Sequence, residues 1–210
     1  FSSGWTVISA GTSPIVAGVL GVWNTAALPQ GYYLLRLTVN NQCGLSNTDI
    51  RVVYLDNAFD TINIDYPANG QIVGGNVCFD GTVYDNCFLS YEVESVPAST
   101  FNLVSPAAPV INDPFAYWPT TLTADGDYAV TVRGKTICGA IDTETIQLTV
   151  DNTPPVAVIS SPLNCDNVTG VVPIKGTVSD AHSQSWYLYY TGGNQNGWAL
   201  IASGNNQVVD

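Results

Sequence analysis

Methionine is absent, histidine occurs once, and Lys and Arg number 5 against 17 Asp and Glu. The formal net charge of −12 repels phosphate backbones and anionic lipid, which excludes nucleic acid as a partner. No apolar run is long enough to span a bilayer as a helix, which excludes membrane insertion by that route. No window carries the i, i+3, i+4, i+7 apolar stripe of an amphipathic helix. No Cys-x-x-Cys and no Cys/His pair at zinc-ligand spacing occurs, which argues against zinc. There is no signal peptide and no initiator Met. The chain opens at Phe1 and reads as a window cut from a longer polypeptide, so a missing leader says nothing about export.

What remains is a chain of 210 residues, 46% hydrophobic and only 10% charged, able to bury a sizeable core. Its 19 Gly and 12 Pro are scattered, as turns are. Period-two alternation recurs, as in "YAVTVRG" and "TIQLTVD", and the fold class it predicts is all-β.

The chain also repeats itself. "LPQGYYLLRL" (Leu28–Leu37) returns as "LTADGDYAVTV" (Leu122–Val132), with Gly31 and Gly126 95 residues apart. At the same offset Trp23 falls on Trp118, Cys43 on Cys138, and Asp56-Asn57 on Asp151-Asn152. "DGTVYD" (Asp80–Asp85) falls on "KGTVSD" (Lys175–Asp180). This is a tandem array whose unit has the length of one small domain. Its boundaries fall at "LDNAFDTINIDYP" and "VDNTPPVAVISSP", which predicts one complete unit over 58–152. Residues 1–57 are then the C-terminal part of a preceding unit, and 153–210 the N-terminal part of a following one. "SGWTVISAG" at Ser3 resembles "NGWALIASG" at Asn196, so the window starts and stops at nearly the same phase. Either the array continues as one long chain, or the tail of one chain is completed by the head of the next. The duplicated stretch favours the first, and both give an extended fibre.

Within 58–152, strands are expected near 61–66, 76–85, 89–96, 100–105, 110–122, 127–134 and 143–151. About seven short strands with turn signals between them is the pattern of a Greek-key sandwich. Tyr33 and Tyr128, each just after a Gly turn, are placed as tyrosine corners. Trp23 and Trp118 share a phase and are expected in the core. So do Tyr91 and Trp186, in the third strand. "DNTPPVAVISSP…VVPIKGTVSD" and "W…L…G-x-Y-x-V/L" resemble the tandem Ig-like and fibronectin-III-like modules of large bacterial surface proteins. The resemblance covers nearly all of the chain. It implies extracellular, passive, beads-on-a-string architecture in units of about 95 residues, with no catalytic residues to carry over.

The candidate chemistry is sparse. His182 follows Asp180, with Ser183 and Ser185 nearby, and reads as a polar turn because Cys87 holds the matching place in the other unit. Glu92 and Glu94 read as a solvated strand face. In a seven-stranded sandwich the second-to-third and sixth-to-seventh connections share a pole, which predicts a Cys87–Cys138 disulfide, with free thiols as the alternative. Closing a loop of about 50 residues would stabilise the unit by roughly 4 kcal/mol. Any such bridge implies an oxidising, extracellular setting. Asp56, Asn57, Asp60, Asp85, Asp151, Asn152 and Asp180 gather hard oxygen ligands at the junctions. They make calcium the candidate cofactor, against the plainer reading that Asp and Asn end strands because they favour turns. Tyr187 and Tyr189 are expected to face outward, where they would suit glycan stacking. Asn167 heads an Asn-x-Thr sequon.

The expected role is structural: a secreted, non-catalytic filament, stalk, sheath or matrix built by copies of itself or by further modules of the same chain. The alternatives are a spacer array of a calcium-stiffened adhesin, or the accessory region of a secreted glycan-active enzyme.

Overall fold

The computed structural model describes residues 4–209; Phe1, Ser2, Ser3 and Asp210 lie outside them. Among the described residues there is no α-helix, so none is long and apolar enough to cross a membrane. Fourteen strands carry the fold of the described residues.

The middle of the chain holds two four-stranded sheets. One runs β3 (Thr61–Tyr66), β5 (Asn76–Tyr84), β8 (Val110–Pro119), β7 (Asn102–Leu103) in that spatial order. The other runs β4 (Gln71–Val73), β10 (Ile141–Val150), β9 (Gly126–Thr136), β6 (Phe88–Val96). All pairings are antiparallel except that of β4 with β10. The two inner faces share one core. Phe79, Val83, Phe115 and Trp118 come from the first sheet, and Tyr91, Val130, Val132, Leu148 and Val150 from the second. The arrangement is an all-β, sandwich-like pair of sheets.

Alternation explains how these strands sort their faces. Along β5, Val77, Phe79, Gly81 and Val83 are buried while the residues between them are partly exposed; along β9, Tyr128, Val130 and Val132 do the same. Aromatic rings fill the middle: Trp118 lies edge-on to Tyr128 at 5.2 Å and tilted over Phe101 at 5.2 Å. Polar tips inside find partners. Tyr91 Oη donates to the Phe115 carbonyl at 2.6 Å, and Trp118 Nε1 donates to Ser99 Oγ at 2.7 Å. The outer face of β6 carries Glu92 and Glu94, ion-paired to Arg133 and Lys135 on β9.

Two expected boundaries change. β4 was not expected: three residues between "NG" and "GG" turns are too few to show a period, and its pairing with β10 comes from tertiary contact. The strand expected over 100–105 shrinks to β7, and the broken stretch over 110–122 resolves into β8 followed by a 3-10 turn over Thr120–Leu122.

The flanks repeat these strands at the same offset without closing a core. β1 (Gly31–Asn40) and β2 (Ser46–Leu55) form a hairpin at the places of β9 and β10. β11 (Val156–Ser161) and β12 (Lys175–Ser179) pair at the places of β3 and the end of β5. β13 (Trp186–Gly192) falls on β6 and pairs with β14 (Gln195–Gly204). Local contacts recur too. Tyr33 Oη donates to the Pro29 carbonyl at 2.8 Å and Tyr128 Oη to the Ala124 carbonyl at 3.0 Å, each four residues back, the contact of a tyrosine corner. Trp23 stacks edge-on to Tyr33 at 5.4 Å, the counterpart of Trp118 on Tyr128. A Cβ at Gly81 would lie 2.0 Å from the Asn63 carbonyl oxygen, and one at Gly176 2.1 Å from that of Val158, so both places require glycine.

Burial recurs at Leu55, the counterpart of Val150, but is lost at most other places. Val132 is fully buried but Leu37, at its place in β1, is 44% exposed; Ile64 is 9% exposed and Ile159 58%. Val73 is 6% exposed and Val168 57%.

Candidate functional site: the two junctions

Each junction begins where a ten-residue strand ends in Asp-Asn, and the two asparagines do the same work. Asn57 Nδ2 donates to the Thr25 carbonyl at 2.7 Å, and Asn152 Nδ2 donates to the Thr120 carbonyl, its counterpart, at 2.8 Å. Asn152 Oδ1 also accepts from Gly75 N at 3.0 Å and from Thr120 Oγ1 at 3.1 Å. These side chains tie a strand end to the preceding loop, which accounts for Asn at both places.

The carboxylates expected to hold calcium mostly meet protein donors instead. At the first junction Asp60 accepts from Gln30 Nε2 at 2.7 Å and from Asn86 N and Nδ2. Asp85 accepts from Asp60 N at 3.0 Å and Cys87 N at 2.6 Å. Burial raises the Asp85 carboxyl above its ordinary range, and those two backbone N–H groups oppose the shift. At the second junction Asp151 Oδ1 accepts from Thr153 N, and Asp180 Oδ1 accepts from His182 N. Asp125, which the sequence did not single out, receives Asn152 N at 2.8 Å and Thr153 Oγ1 at 2.5 Å. The Thr153 hydroxyl, then the Asn152 N–H, hold its carboxyl below the usual range. Asp60, Asp85, Asp151 and Asp180 are thus each held by hydrogen bonds at one of the two junctions. Among the described residues no three of the expected carboxylates have oxygens within 4.8 Å of one another.

One such group does exist, with a different donor set. A carboxylate oxygen of Asp56, Cys87 Sγ and Cys138 Sγ lie within 4.8 Å of one another. The loops that carry the cysteines are joined by a hydrogen bond from Ile137 N to the Cys87 carbonyl at 2.8 Å. The sequence expected a disulfide here, and the structure corrects that: both cysteines are free thiols. A bridge needs the sulfurs at about 2.05 Å. Here the Asp56 carboxylate shares the space with them. It is the first cause, with burial next, that pushes the Cys87 thiol up to about 11. Asp56 is 6% exposed, and neither of its oxygens has a hydrogen-bond partner.

The second junction places Asp151 Oδ2 2.5 Å from His182 Nδ1. The sequence paired His182 with Asp180 inside a turn; the fold gives its ring to Asp151. The offset held the signal, because Asp151 and His182 stand at the places of Asp56 and Cys87. A groove lined by Asp125, Asp151, Thr153, Ser179 and His182 runs along this junction.

The chain matches no family model, no curated protein and no solved structure. Its own repeat is therefore the comparison from which function is argued.

The other expected sites lie away from the junctions. Tyr187 and Tyr189 are exposed on β13 with their rings stacked at 6.2 Å. Trp186, half-buried, donates from Nε1 to the Asn206 carbonyl at 2.9 Å. Asn167 is exposed on the loop between β11 and β12. Cys43 and Cys165 are exposed, and Cys78 lies 3.6 Å from an Asp80 oxygen.

Proposed function

We propose that the protein is a non-catalytic structural repeat of an extracellular filament, stalk or sheath, built from Ig-like sandwich modules of about 95 residues joined end to end. The spatial strand order of 58–152 supports the module type: β3-β5-β8-β7 facing β4-β10-β9-β6 is the A-B-E-D over A′-G-F-C order of an Ig-like Greek key. One observation carries the assembly. The first hairpin has the last two strands of the unit, the final segment has counterparts of β3, β5 and β6, and each exposes residues, Leu37, Ile159 and Val168 among them, whose counterparts at 58–152 are buried. The two flanks are complementary halves of one sandwich. Each gains a core when a chain of the same kind supplies the other half, whether in one long polypeptide or from a second copy. Such apolar surface is costly to leave in water at roughly 25 cal/mol per Å².

The test is a longer chain. Residue 190 lies one step before residue 1 in phase, so a chain of residues 1–190 continued by a second copy of 1–57 restores a third unit. Hydrogen exchange is expected to slow at Ile159 and Ile174, and at Leu37 of the added copy. Electron micrographs of still longer arrays are expected to show rods of even beads. Unchanged exchange at those three residues would remove the basis for the filament.

The stacked, exposed Tyr187 and Tyr189 support a second reading, in which this array is a spacer or accessory region that also contacts glycans. Glycan-array binding that disappears in Tyr187→Ala would favour it.

A further inference from the structure

We propose that Asp56, Cys87 and Cys138 form a metal site for a borderline-soft divalent cation of the Zn²⁺ class, placed to pin the strand end at the first junction to the sandwich that follows. The inference stands apart from the filament reading, because all three ligands belong to one chain.

The donors come from three distant segments. Asp56 directly follows β2, Cys87 sits in the β5–β6 turn, and Cys138 in the β9–β10 turn. Sequence spacing therefore gives no sign of this group. The three ligand atoms lie within 4.8 Å of one another. A tetrahedral zinc with bonds of about 2.3 Å to sulfur and about 2.0–2.2 Å to oxygen sets its ligands about 3.5–3.8 Å apart, so the three atoms need draw together by only about an ångström. The backbone around the site is fixed: Asp85 accepts from Cys87 N at 2.6 Å, and Ile137 N donates to the Cys87 carbonyl at 2.8 Å. Cys138 is exposed, which leaves the fourth position open to water.

The independent observation is Asp56 itself. A carboxylate that is 6% exposed with both oxygens unpartnered is costly, and it is aimed at two thiols. A disulfide between those thiols would leave it unpartnered; a cation partners all three groups. Two sulfur ligands select the zinc class over calcium. On binding, the two thiols release their protons to solvent and bind as thiolates, beside the carboxylate. The second junction repeats the theme with Asp151 and His182, the latter a nitrogen ligand in place of Cys87.

The test uses the whole 210-residue chain, reduced, stripped with a chelator and titrated with Co²⁺. The expected result is a saturable near-ultraviolet thiolate-to-cobalt band with tetrahedral visible bands, displaced by an equivalent of Zn²⁺. Cys138→Ser, an exposed change the fold tolerates, is expected to lose most of that band and weaken Zn²⁺ binding by at least about tenfold. Asp56→Asn is expected to keep thiolate bands and weaken binding. The combined change Cys43→Ser, Cys78→Ser, Cys165→Ser is expected to leave everything in place. Under Zn²⁺, alkylation should spare Cys87 and Cys138. The site is overturned by the absence of a thiolate band, by a band indifferent to Cys138→Ser, or by full alkylation of Cys87 and Cys138 in excess Zn²⁺.

Discussion

Leu37 and Val132 occupy the same place in two hairpins of the same length, yet one is nearly half exposed and the other sealed. The hairpins share a ladder of ten residue pairs, their tyrosine corner and their Trp–Tyr contact. What β9 and β10 have, and β1 and β2 lack, is a facing sheet. Local sequence is thus sufficient for strand, turn and corner, while burial is supplied by the other half of the unit. A two-stranded ribbon has little stability of its own, so the flanks depend on the company they keep.

The largest expected contrast lies in the core. Phe79→Ala should cost about 3–5 kcal/mol in denaturant unfolding of the central unit, whereas Ile174→Ala, at the same place in the exposed segment, should stay within about 0.5 kcal/mol. Equal costs would mean that the last segment already closes a core. Next comes the junction asparagine. Asn152→Ala removes three hydrogen bonds and is expected to cost about 1–3 kcal/mol; Asn57→Ala, on an exposed hairpin, should cost less. Tyrosine corners give a smaller difference: Tyr128→Phe is expected to lose about 1 kcal/mol by the same measurement, and Tyr33→Phe close to nothing. The smallest effect is a pH dependence at the second junction, where Asp125 replaces the Gln30 of the first. The folded carboxyl of Asp125 titrates below its unfolded value, so its contribution is present above the unfolded pKa and is lost as pH falls through the folded one. The carboxyl carbon of Asp125, followed by NMR, should show a midpoint below the ordinary Asp range, and Thr153→Val should raise it.

Much of the fold was legible because alternation and the 95-residue offset are local or periodic signals. β5 and β9 alternate so strictly that their buried faces follow from pattern alone. β4 was not legible, since its three residues gain strand geometry only from β10. Of the junction, the shared pole of Cys87 and Cys138 could be argued from strand count. The part played by Asp56 could not: an Asp at a strand end looks the same in sequence whether it caps a turn or points inward. Asp151 and His182 were within reach of the offset, yet nothing in "SDAHSQS" says that the ring turns toward Asp151 rather than Asp180.

Two hairpins of equal length in one chain also create a sorting problem. β1 could pair with β10 as well as with β2, and closing the longer loop costs only roughly 3 kcal/mol more, because the penalty grows with the logarithm of length. The ladders carry private marks against that exchange. In a swapped register Thr145 would face Arg36 and Thr131 would face Ile50, so the Thr131–Thr145 hydroxyl pair is forfeited, although Thr38, which meets Thr48 in its own hairpin, would find Thr143. Synthesis from the N-terminus adds a second safeguard: β1 and β2 are already partnered before the ribosome has made their decoys.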